Sequence, residues 1–129
     1  MASRVTLTVA LLALLCVRAA DAQTLTLSQV EESIVAIGDI VQHEYVDRDV
    51  GRQVAASLRE GLSEGRFPNL TTPGDIAEAM NHELQFLTHD KDLVVSVVRA
   101  DQSRKSTSNT VRTFRVMNVP LEIAIPVKH

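Results

Sequence analysis

The residues of this chain best suited to chemistry are two histidines and the carboxylates around them. His82 and His89 lie seven residues apart, two helical turns, with Glu83, Asp90 and Asp92 nearby. Histidines and a carboxylate brought to one face would make a divalent-metal site. The spacing does not follow H-E-x-x-H, because the position four after His82 is Phe86. His89 is expected beyond the end of a helix, so these residues read as polar groups around a helix C-terminus, with no metal and no cofactor. Thr88-His89-Asp90-Lys91-Asp92 is the most polar turn between a predicted helix and a predicted strand. As chemistry, His89 beside Asp90 is an acid/base type of pair. As structure, Asp and His close helices and turn the chain through side-chain hydrogen bonds to free backbone groups, and this reading is preferred.

Nucleophilic and phosphate chemistry find less support. No serine sits in a G-x-S-x-G elbow: Ser57 and Ser63 fall on a predicted helix, and Ser103, Ser106 and Ser108 in a polar stretch. Glycines 38, 51, 61, 65 and 74 are scattered and form no phosphate-binding loop. Asn69-Leu70-Thr71 is a glycosylation sequon on a predicted surface loop, relevant in a eukaryotic source. No catalytic residue is assigned.

The first 22 residues are expected to lie outside the fold. A short basic start, Met1 to Arg4, precedes a thirteen-residue apolar run from Val5 to Val17, and Ala20-Asp21-Ala22 fits an A-x-A cleavage site. A bilayer span needs about 20 apolar residues, so a signal peptide cut after Ala22 is expected, with a secreted or periplasmic product. A lipid anchor on Cys16 is disfavoured by the bulky Leu15 before it. Cleavage removes Cys16, the only cysteine, and with it thiol chemistry and any disulfide. The 13 basic and 16 acidic residues become 11 and 15, because Arg4, Arg18 and Asp21 leave. A net acidic chain disfavours nucleic acid and an anionic membrane surface as partners. The remaining 107 of the 129 residues suffice for one core stabilised by packing.

Three helices are predicted to carry the sites. Ser28 with Glu31 reads as a capping box, followed by Val30, Ile34, Ile37 and Val41 on one face of roughly 29–45. Asp47 or Asp49 caps a second helix with Val50, Val54, Leu58 and Leu62 at every fourth position, ended by Gly65. Phe67 and Leu70, in the next loop, are expected to tuck into the helix contacts. Thr72 caps a third helix, with Pro73 first and Asp75 in its first turn, and Ile76, Met80, Leu84 and Leu87 as its apolar stripe.

Strands follow. Leu93 to Val98 is β-branched, Val111 to Val116 could be a second strand, and Leu121, Ile123, Ile125 and Val127 alternate with other residues as a third. Pro126 places an edge or an end near that point. The fold class is therefore α+β, mainly α: a three-helix N-terminal bundle, then two or three short strands. The expected organisation is a signal peptide at 1–22, a helical domain at 23–99, a polar loop or linker at 100–110 and a strand segment at 111–129. That last segment reads as the start of a larger fold, a catalytic domain missing from this chain.

Tyr45-Val46-Asp47, Val54-Ala55-Ala56-Ser57-Leu58-Arg59, Gly65-Arg66-Phe67, Leu70-Thr71-Thr72-Pro73 and the run from Leu84 to Leu93 follow one another in a recognisable order. Over roughly 30–98 the chain resembles the N-terminal domain of the tail-specific (C-terminal-processing) serine peptidase family, in the branch of interphotoreceptor retinoid-binding protein and its bacterial relatives. The resemblance implies a non-catalytic helical domain preceding a catalytic domain with a serine–lysine pair. That catalytic domain would be its partner, in the same polypeptide or another, and the chain alone would be inactive. An apolar ligand of retinoid type, or a peptide, is the alternative partner, bound by a stand-alone module. The family turn is H-D-x-H; His89 and Asp90 match it, whereas Asp92 stands where a second histidine is expected.

Overall fold

The computed structural model describes residues 24–98, 111–116 and 118–127. The signal peptide expected at 1–22, with Cys16, and the polar loop expected at 100–110, with its three serines, lie outside the described residues.

Helix α1 runs Leu27–Glu44, α2 Arg48–Ser63 and α3 Pro73–Thr88; strands β1 Val94–Val97, β2 Val111–Arg115 and β3 Leu121–Pro126 follow. The chain is α+β and mainly helical. Each helix begins where a side chain can accept its orphan N–H groups. At α1 this is Thr26, whose hydroxyl accepts from Gln29 N–H at 3.2 Å while Gln29 Oε1 accepts from Thr26 N–H at 2.9 Å. The capping box is therefore Thr26/Gln29, correcting the expected Ser28/Glu31, and the helix starts two residues earlier. The longer start lets Leu25 enter the core, where its N–H donates to Thr71 O at 2.7 Å. Asp47 caps α2, donating no proton and accepting from Asp49 and Val50 N–H. Gly65, with φ +71°, turns the chain out of α2. Thr72 and Asp75 form a second capping box around Pro73 at the start of α3.

The apolar stripes read from the sequence converge. Val30, Ile34, Ile37 and Val41 of α1, Val54 and Leu58 of α2, and Ile76, Met80 and Leu84 of α3 are buried together; Val50, Leu62, Leu87, Phe67 and Leu70 pack on them half-buried. Helices α1 and α2 form the most extensive helix pair. Their approach is close enough that a Cβ on Gly51 would lie 2.9 Å from Val41 O and 3.2 Å from Gln42 Cα. Helix α3 packs chiefly on β1.

The sheet is antiparallel with order β1-β3-β2. Ile123 faces Val95 on one side and Phe114 on the other. Leu121, Ile123 and Ile125 turn one face of β3 into the core, as the alternation predicts. Pro126 is the last residue of β3, where a missing N–H costs the ladder least. The described residues of the 111–129 segment pack on the helical part. β3 pairs with β1, and Val116, Leu121, Ile123 and Ile125 share one core with the helices.

Candidate functional site

The 88–92 turn is assembled around Asp90. Helix α3 ends at His89, whose backbone is left-handed (φ 54°, ψ 23°) and whose N–H donates to Gln85 O at 2.8 Å. Thr88 Oγ1 donates to Leu84 O at 2.7 Å and accepts from Asp90 N–H at 3.2 Å. Asp90 Oδ1 accepts from Asp92 N–H at 3.0 Å, closing an Asx-type turn. Asp90 Oδ2 accepts from Tyr45 Oη at 2.9 Å, 45 residues away in sequence. One carboxylate thus shapes the turn and ties it to the end of α1.

These bonds give Asp90 a structural part in the turn. The Asp90 oxygens are engaged by a phenol and a backbone N–H, and no hydrogen bond joins them to the His89 ring. His89, Lys91 and Asp92 are exposed. Burial, reinforced by the hydrogen bond and the negative charge of Asp90 and by the charge of Asp47, pushes the Tyr45 hydroxyl up from 10.0 to about 12. Tyr45, Val46, Asp47, Asp90 and Pro126 line a small cleft of about 50 Å³ there.

The other histidine stands elsewhere. His82 is exposed on α3 and borders an open groove of about 410 Å³ with Arg66, Phe67, Asn69, Leu70, Asp75, Glu78, Ala79 and Glu83. His82 and His89 do not share a site, and no group of three metal-ligating side chains occurs among the described residues. Within the groove Asp75 accepts from Thr71 N–H (3.1 Å), Thr72 N–H (3.2 Å) and Thr71 Oγ1 (3.3 Å). These bonds, the Thr71 N–H foremost, hold its carboxyl below the ordinary 3.8. Arg66 donates to Ser57 O at 2.9 Å and approaches Glu64 at 3.3 Å.

A profile of the N-terminal domain of peptidase S41 in eukaryotic IRBP matches residues 18–124. The chain belongs to that family. Comparison with curated proteins and with solved structures gives no match. In this peptidase S41 N-terminal domain the His89-Asp90 pair falls at the helix-to-strand turn, with Asp90 inward and His89 outward. Asp92, at the position where the second histidine is expected, lies in solvent, so a carboxylate there disturbs nothing in the packing.

Two tertiary contacts escaped sequence reasoning. Tyr45 reads as the last residue of a helix and gives no local sign of its partner. Asn81 in mid-α3 gives a weak sign, since Asn is a poor helix former. Its Nδ2 donates to Val95 O at 2.8 Å and its Oδ1 accepts from Val95 N–H at 2.7 Å. Val95 turns both groups away from β3 toward the outer edge of β1, and the Asn81 amide takes the place of a strand neighbour there.

Proposed function

We propose that this is the non-catalytic N-terminal domain of an exported, tail-specific-peptidase-like protein, and that it packs against and orients a peptidase catalytic domain. The observation that supports this most directly is Phe86, 72% exposed on α3. Val94 and Val97 are also exposed, on opposite faces of β1. A partner that covered Phe86 would gain the burial of a large aromatic side chain. The Asn81 amide on the β1 edge favours side-chain docking there over the addition of a strand. The Tyr45–Asp90 bond supports an orienting role, because it ties the family turn to α1.

Export rests on the basic start, the apolar run and the Ala20-Asp21-Ala22 exit. An apolar ligand of retinoid type is less well supported. Such ligands sit in enclosed, mostly apolar pockets, whereas the α2–α3 groove is open and carries Arg66, Asp75, Glu78, His82 and Glu83. The test is a peptidase assay on purified residues 23–129. No hydrolysis is expected; cleavage abolished by a serine-directed inhibitor would overturn the non-catalytic role.

A further inference from the structure

We infer that Asn69 accepts an N-linked glycan when the chain is exported through a eukaryotic secretory pathway; this rests on the export proposed above. The chain contains one Asn-x-Ser/Thr sequon, Asn69-Leu70-Thr71, with no proline at its middle position. The structure puts it at the outer tip of the connection between α2 and α3. Asn69 and Pro68 before it are exposed, and the Thr71 hydroxyl of the sequon donates to Asp75 at 3.3 Å. Its backbone is left-handed, φ 64°, a conformation Asn accepts more readily than most residues. Asn69 is therefore open to solvent among the described residues. Asn69 also borders the α2–α3 groove, so the sugar would shade that face and leave it to solvent.

The transfer is chemically complete with a lipid-pyrophosphate-linked oligosaccharide as donor. The Asn69 amide nitrogen attacks the sugar anomeric carbon and forms the C–N bond. The anomeric C–O bond to phosphate breaks, the lipid pyrophosphate leaves with the bonding pair, and the amide nitrogen loses one proton. No electrons change oxidation level. The product is a bulky, neutral, solubilising group on a surface turn.

The test expresses the full chain in secretory eukaryotic cells and measures the intact mass of the product before and after a peptide N-glycosidase. A second form, with residues 1–22 replaced by an established secretion signal, is run beside it. Asn69→Gly and Thr71→Ala remove the acceptor, and Asn69→Gly keeps the left-handed turn; Thr71→Ser keeps the sequon. The expected result is a raised mass that the glycosidase removes, leaving Asp at position 69. That mass is lost in Asn69→Gly and Thr71→Ala and kept in Thr71→Ser. A product secreted at its bare polypeptide mass overturns the inference. If the natural chain stays inside the cell, the export reading fails, and the re-signalled form decides Asn69: glycan present upholds the site, glycan absent overturns it.

Discussion

Tyr45 Oη donates to Asp90 Oδ2 across 2.9 Å, joining the end of α1 to the turn that follows α3. The carboxylate also holds Asp92 N–H, so its two oxygens act on different parts of the chain. Tyr45→Phe removes one bond and leaves Asp90 able to reach water; a loss of about 1 kcal/mol is expected. Asp90→Ala removes both bonds and should cost more, about 1–3 kcal/mol. Urea unfolding of the variants checks the order. Equal stability of Asp90→Ala and the parent would mean that the turn holds itself without the carboxylate.

The same contact makes stability depend on alkaline pH. The Tyr45 hydroxyl titrates near 10.0 in an unfolded chain and near 12 in the folded one. A group whose folded value is raised contributes fully below the unfolded value and loses its contribution as pH rises through the folded value. Stability should therefore fall between pH 10.0 and about 12. Tyr45 is the single tyrosine and there is no tryptophan, so phenolate absorbance follows this group alone. Asp90→Asn should bring the midpoint down toward the ordinary value without reaching it, since burial is the larger cause.

Asn81 is predicted to guard the β1 edge. Asn81→Leu strips Val95 of a donor and an acceptor partner at once and should cost about 1–3 kcal/mol. It also opens a strand edge flanked by the exposed Val94 and Val97, which favours edge-to-edge association. Unfolding curves and light scattering across a concentration series read the two effects. A variant as stable and as monodisperse as the parent would show that water replaces the amide without loss.

How legible these features were follows from their range along the chain. Thr72, Pro73 and Asp75 could be read directly, because a helix cap involves only neighbours. The start of α1 was ambiguous for the same reason: Thr26-x-x-Gln29 and Ser28-x-x-Glu31 are overlapping capping patterns. Leu25 decides between them through its burial and its bond to Thr71 O, a contact no local pattern contains. The alternation of 121–127 indicated a half-buried strand, but its central place depends on Val95 and Phe114 meeting Ile123 from opposite sides. The polar turn at 88–92 was legible as a turn. Its anchor was not, because Tyr45 reaches it only after three helices have packed.

His89 tests whether the turn carries chemistry or shape. It occupies a left-handed backbone position that strains residues with a Cβ. His89→Gly should relieve that strain and stabilise the domain by about 0.5–1 kcal/mol, the gain reduced by the added freedom of glycine in the unfolded chain. Thermal unfolding measures it. Destabilisation would point to an unseen role for the imidazole in the fold.

The proposed role meets its most direct test in the native mass of the exported protein, isolated with an antibody against residues 23–129 under non-denaturing conditions and identified by its peptides. The domain should be recovered with a peptidase catalytic domain, either in one longer polypeptide or in a complex that Phe86→Glu weakens. Recovery of the 23–129 domain by itself, at its own mass, would contradict the proposed role.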